Sequence, residues 1–431
     1  MQERWTLFLA RIPGGKLLTG GALLFVSMTI VNAGNYLFNL ILGRLLGPAA
    51  FADLSLIVTL LLVLTLVTSA LQLVAAKFAA VHTANNDPAS LSGLRRWLSR
   101  WAWGVGGALL LFFALGAPWL QAFFRTQSLW PFVLFGIGVP IYFAQGVDRG
   151  LLQGQTRFGV LALTYQAEMW VRLIAALGFV AIGWSVNGAV AGLTLSLVAT
   201  WLVARSAAVG LPPAVALVSS ERTAIMTFVG PAVAALVGQV LITNSDILIV
   251  KRYFEPVEAG QYAALALIGR IVFFATFSVV SVMFPIVAQK HEKGEPHRYL
   301  FGVSLLLVGV VSAGIIIATA IVPELIVSVL FGAAYVSIAP MLWLLAVATT
   351  LYALSNVVIN YRLSTGFTHG TLIAVATGVL QVIALLIFHD SLIQVVSVLI
   401  LVNTALFGTL LAWDVWLSIN DKGGQRANVS R

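Results

Sequence analysis

Apolar stretches about as long as a bilayer is thick recur from one end of this chain to the other. A helix needs about 20 mainly apolar residues to cross the hydrocarbon core. Twelve segments read as such spans: 17–42, 54–76, 101–116, 129–147, 158–182, 185–203, 224–250, 262–288, 299–322, 337–361, 371–388 and 392–413. Only 9% of the 431 residues are charged and 60% are hydrophobic. A soluble domain carries about 25% charged residues, so this chain cannot cover a water-facing surface. Runs of this length, rather than alternating segments of roughly ten residues, imply a helix bundle and not a barrel.

Cysteine is absent, which removes disulfides, thiolate metal sites and cysteine nucleophiles together. The five histidines are scattered, with no HExxH or other tight ligand spacing. No metal or cofactor is therefore expected, and the sequence names no coupling ion. The net charge of +9 reads as membrane orientation rather than nucleic-acid binding. The N-terminus, alternate loops and the tail hold 18 Lys and Arg, the opposite loops hold 4, and Arg172 and Arg270 fall inside spans. That asymmetry places both termini in the cytoplasm, as in a multi-pass protein of the inner cell membrane.

The loops on the opposite side are all short. They leave no room for a soluble reaction centre, and none brings together paired carboxylates or a Ser/His/Asp set, so an enzyme is not expected. In the cytoplasmic segment 88–100, Leu91, Leu94, Trp97 and Leu98 share one helical face while Arg95, Arg96 and Arg100 stay polar. The expectation is a helix lying along the inner leaflet, its cations on anionic lipid heads; an ordinary basic loop is the alternative. A linker at 206–223, with Pro212 and Pro213, separates six spans from six. The expected division is an N-lobe at 1–209 and a C-lobe at 210–431. A shift of 208 residues lays Gly43-Arg44-Leu45-Leu46-Gly47-Pro48 on Lys251-Arg252-Tyr253-Phe254-Glu255-Pro256, each joining the first two spans of its half. Six is even, so the two halves should share one orientation, related by a pseudo-twofold along the membrane normal.

Four stretches resemble the polysaccharide transporter family of the MOP exporter superfamily, and they occur in family order. They are NYLFNLILGRLLGPAAFADLSL at 35–56; DRGLLQGQTRFG at 148–159; Asn244 and Asp246 with Gly260-Gln261-Tyr262, Arg270 and Phe284-Pro285; and Leu330-Phe331-Gly332 with Tyr335. One departure is Ala52-Asp53-Leu54, where the family tends to have Gly-x-Tyr, as the second half keeps. The resemblance implies an all-α membrane fold of about twelve transmembrane helices in two pseudo-symmetric six-helix lobes around a central cavity. It implies a flippase for a polyprenyl-pyrophosphate-linked oligosaccharide, an O-antigen or exopolysaccharide repeat unit, working by alternating access. Its partners would be that glycan, membrane lipids and a polysaccharide polymerase with its glycosyltransferases; nucleic acid is not among them. The alternatives are a MATE-like cation-coupled exporter of small molecules and a non-catalytic scaffold of a polysaccharide assembly complex.

Ionised side chains within spans are costly and should face the bundle interior or water. Glu168 and Arg172 stand at i,i+4 on the fifth span with Tyr165 a turn earlier. They read either as a self-neutralising pair that joins helices or as a cavity cation held by Glu168 until substrate arrives. Asp246 and Arg270 read equally as a structural pair or as substrate contacts. Asp53 and Asp148, at span ends, are expected in interfacial water. Asn32, Asn35 and Asn39 form one stripe, Asn356 and Asn360 a second, and Gln239 with Asp246 a third. Such stripes either join neighbouring helices or line a hydrated cavity able to hydrogen-bond sugar hydroxyls. The candidate binding set is thus Arg172, Arg270, Glu168, Asp246, Asn35, Asn39, Gln239, Asn356 and Asn360.

Overall fold

The computed structural model describes residues 15–367 and 369–429, with the side chains of 15–20, 228–232, 234–236, 274, 277, 369 and 418–429 outside the description. The basic residues Arg4, Arg11 and Arg431, counted above for orientation, lie outside the described residues. The described chain is almost wholly helical, without a strand among the described residues. Its helices are α1 (Gly15–Ala84), α2 (Pro88–Leu115), α3 (Ala117–Phe124), α4 (Trp130–Gly154), α5 (Phe158–Ala181), α6 (Ser185–Ala204), α7 (Ser219–Tyr253), α8 (Pro256–Glu292), α9 (Arg298–Ile321), α10 (Pro323–Leu330), α11 (Leu342–Ser364), α12 (His369–Ile387) and α13 (Leu392–Val429).

Ten helical runs among the described residues are long and apolar enough to cross a membrane. The first has 64 residues, or about 96 Å at the usual helical rise, and breaks at Gly47. There φ is 73° and ψ is 170°, and Pro48 follows without a backbone N–H to bridge the break. Its two arms carry the first two predicted spans. The seventh, at 224–250, lies on the 35-residue α7. With the two arms of α1 counted separately and α7 included, each of the twelve predicted spans lies on a helix.

The repeat is visible in the backbone. The second half breaks at the equivalent place: α7 ends at Tyr253, Glu255 is extended and Pro256 opens α8. Each half also has an eight-residue helix opened by proline after its third long helix, α3 in one and α10 in the other. Within each half one helix is central: α4 packs on α1, α2 and α6, and α11 packs on α8, α9 and α13.

Segment 88–100 does not form a separate surface helix. It is the first half of α2, which runs unbroken to Leu115. Asp87 caps the helix by accepting from the Ser90 N–H at 3.0 Å, Pro88 opens it, and no breaker follows. Leu91, Leu94, Leu98 and Ala102 are all buried, one stripe continuous across residue 100. The segment therefore packs as part of the bundle.

The chain divides into two compact units, Met1–Val233 and Ala234–Arg431, and the linker packs with the first. Inside that unit α4 approaches α1 along Gly146, Gly150 and Gly154. A Cβ at Gly150 would stand 2.4 Å from the Gln72 carbonyl oxygen and 2.5 Å from the Ala75 Cβ. Gly150→Leu should therefore separate the helices, at about 3 kcal/mol or more. Recovery of monodisperse protein in detergent should fall sharply, whereas Gly159→Leu, whose Cβ would meet nothing within 4 Å, should be recovered normally.

Candidate functional site

Within the first unit, α1, α4 and α5 bring charged side chains together in the membrane-spanning region. Glu168 of α5 receives two arginines: Arg149 of α4 at 2.8 Å and Arg172, one turn along α5. Arg149 also donates to the Thr164 hydroxyl at 3.0 Å and the Thr164 carbonyl at 3.1 Å, and its guanidinium stacks on the Tyr165 ring at 4.1 Å. Gln145 donates weakly to Glu168 at 3.4 Å. Arg172 reaches the first arm of α1, donating to the Asn35 Oδ1 at 3.2 Å, while its Nε is buried without a partner. Two guanidinium groups thus face one carboxylate, a formal surplus of one positive charge. Gln72 of the second arm of α1 extends the polar run, donating to the Tyr165 hydroxyl and to Gln153, each at 3.0 Å.

The second unit holds a different arrangement. Arg270 of α8 donates to the Thr243 carbonyl at 2.9 Å and the Asn244 Oδ1 at 3.0 Å, both on α7. Asp246 accepts from the Tyr262 hydroxyl at 2.7 Å, and its Oδ1 is buried without a hydrogen-bond partner. Asp246 and Arg270 are close enough to interact electrostatically, each with its own hydrogen-bond partners. Gln381 of α12 binds α7 beside them, through the Ile242 carbonyl at 2.9 Å and the Ser245 hydroxyl at 3.0 Å. At one end of this unit, Asp414 of α13 holds Arg362 at 2.6 Å and Arg298 at 2.8 Å. Beside them Tyr361 meets His297 at 3.2 Å. Burial, then His291 and Arg362, push His297 below the usual histidine range.

The model of a family described as polysaccharide biosynthesis protein matches residues 41–340, well over half of the chain. The chain belongs to that family. No curated protein matches it by direct sequence comparison. As a polysaccharide biosynthesis family member it has the fold of MOP-superfamily transporters. A multidrug resistance MATE family transporter of that superfamily, in its inward-facing conformation, superposes with a TM-score of 0.76 at 14% identity, over 94% of this chain and 99% of that one. The lipid II flippase MurJ in an inward closed conformation gives 0.73 at 11% identity, over 90% and 87%. A MOP-superfamily transporter from Pyrococcus furiosus, described by the reverse polarity of its binding pocket, gives 0.57 at 14% identity, over 95% and 96%.

Of the residues drawn from this family member's sequence, Asn35, Glu168 and Arg172 meet in one cluster. Arg149, Gln145 and Thr164 complete it and are absent from the sequence-derived set. Asp246 and Arg270 lie near one another in the second unit. Asn39 donates to the Asn35 carbonyl at 2.9 Å, and Asn360 to the Asn356 carbonyl at 2.8 Å and side chain at 2.9 Å. Each of those amides is thus engaged on its own helix. Gln239 is exposed. Asp53 and Asp148 are not in interfacial water: both are buried, Asp53 accepting from the Gln127 N–H at 2.9 Å and Asp148 from Arg95 at 2.7 Å. A buried carboxylate costs less beside a donor than unpaired, and folding brings a donor to each.

Proposed function

We propose that this protein carries a lipid-linked oligosaccharide with an anionic pyrophosphate across the cytoplasmic membrane, without catalysing a reaction. The observation that supports this best is the cationic surplus of the Arg149–Glu168–Arg172 cluster, with one Arg172 N–H donor still to be used. Arginine presents a fork of donors matched to phosphate oxygens and keeps its charge when partly buried. Glu168 would hold Arg172 while the site is empty and yield it to substrate. Within the second unit, Arg270 is the corresponding candidate for a pyrophosphate contact. A cation exporter needs the opposite polarity, an acidic site, and the first unit's buried cluster is net basic. The family's description as polysaccharide biosynthesis and the likeness to a lipid II flippase point the same way.

With both termini cytoplasmic, as the basic asymmetry indicates, the protein would expose its cargo site to the two sides of the membrane in turn. The membrane field aids export of an anion: two negative charges leaving an interior at −100 mV gain roughly 5 kcal/mol. The test is Arg172→Gln and Arg270→Gln, each in the native host, with surface polysaccharide and protein level measured together. Losing a hydrogen bond to a charged group should reduce glycan export about tenfold or more in each, with protein still accumulating. Normal export from both variants at normal protein level would sink the assignment.

A further inference from the structure

A second basic site lies at the start of α2, apart from the Glu168 cluster. A cleft of about 740 Å³ runs between that helix and the chain after α6. One wall is a single face of α2, carrying Ser92, Arg96, Ser99, Arg100 and Trp103 at helical spacing; the other includes Pro212 and Pro213. The opposing wall is fixed in place. Gly210, at φ +81°, turns the chain back, the Ser92 hydroxyl donates to the Pro212 carbonyl at 2.7 Å, and the Val215 N–H donates to the Ala89 carbonyl at 3.4 Å. Gly93 allows the approach, since a Cβ there would stand 2.1 Å from the Val215 oxygen. Trp103 packs edge-on against Trp201, with ring centroids 5.9 Å apart, and Arg205 stacks on Trp201 at 4.6 Å.

The charges in this cleft are unequal in status. Arg95 is engaged by Asp148. Arg96 and Arg100, one turn apart, are exposed, and neither has a hydrogen-bond or ion-pair partner among the described residues. No carboxylate lines the cleft. Two unneutralised guanidinium groups beside the Ser99 hydroxyl suit a phosphate ester. The volume exceeds what inorganic phosphate fills, and Trp103 with the two prolines offers apolar surface for the carbon skeleton that bears the phosphate. We infer that this cleft binds the phosphodiester headgroup of an anionic membrane lipid, seated between α2 and the linker of the two halves. This site is separate from the cargo site proposed above.

The experiment uses the full chain purified in detergent, with native mass spectrometry of retained lipid after addition of phosphatidylglycerol or phosphatidylcholine. The variant is Arg96→Gln/Arg100→Gln; the control, Arg222→Gln/Lys293→Gln, removes the same charge from other exposed positions. Wild type and control should prefer phosphatidylglycerol. The site variant should lose that preference by about tenfold or more, on the usual contribution of a basic residue to anionic-lipid binding. A second readout keeps the question open to decision if the variant is poorly recovered: phosphatidylglycerol should slow proteolysis of wild type within 206–218, and phosphatidylcholine should not. Equal losses in site variant and control, equal retention of the two lipids, or no selective protection would overturn the inference. Displacement of the lipid by millimolar inorganic phosphate, with the same protection, would overturn it in favour of a soluble phosphate compound.

Discussion

Glu168→Gln is expected to destabilise the protein more than loss of either of its arginine partners does. The substitution leaves Arg149 and Arg172 facing one another with no carboxylate between them, in a region where both are largely buried. Removing one partner of a buried ionic group costs about 3–5 kcal/mol, because the remaining charge is uncompensated. Here two charges remain and repel. Thermal unfolding of the detergent-purified protein should move down accordingly, and the double variant Arg149→Gln/Glu168→Gln should recover more than half of the loss. Arg172→Gln leaves Glu168 still paired with Arg149, so its stability should change little while export falls. Stability and transport therefore separate at this cluster. If Glu168→Gln melts like the wild type, the three groups are not coupled as described.

Asp414→Asn should have an effect of similar size in the other half, with no cationic site invoked. Asp414 is 1% exposed and holds Arg362, 5% exposed, through Nε, while Arg298 at 50% exposure takes its other oxygen. Arg362 also donates to the Asp414 backbone carbonyl at 2.7 Å. Neutralising the acid leaves the buried Arg362 charge without its carboxylate, at about 3–5 kcal/mol. Arg298→Gln removes only a half-exposed partner and should cost about 1 kcal/mol or less. Melting temperatures of the two variants, measured side by side, check this order; the reverse order would refute it.

The helices and their hairpins were readable because a membrane span is written in length and apolarity, which need no knowledge of neighbours. The break before Pro48 and the matching start at Pro256 were readable for a similar reason, since proline acts on its own backbone. Arg149 was not. It stands two residues past the end of the predicted span at 129–147 and so counts there as a loop charge. No breaker stops α4 before Gly154, and the four-residue spacing of Gly146, Gly150 and Gly154 is the signal that the helix continues. Adjacent residues on a helix point about 100° apart, so Asp148 turns to α2 and Arg149 to α5. Which partner each would find depends on tertiary packing. The asparagine stripes show the same limit: spacing places amides on one face, but it does not tell whether Asn39 and Asn360 donate to a neighbour or to their own helix.

The seam between α4 and α1 carries a consequence for how this protein can vary. At most buried positions a substitution has two directions, larger or smaller, and a compensating change nearby can absorb either. Gly150 has only one, because no residue is smaller, and its would-be Cβ meets a backbone oxygen that no neighbouring side-chain replacement can move. The same holds at Gly154 against the Ala76 carbonyl. Arg149 is bonded directly to this line, so one of the two guanidinium groups on Glu168 is positioned by neighbours with no freedom to drift. Divergence within such proteins can remodel what surrounds Arg149, but the height at which it enters the bundle is pinned by the absence of side chains.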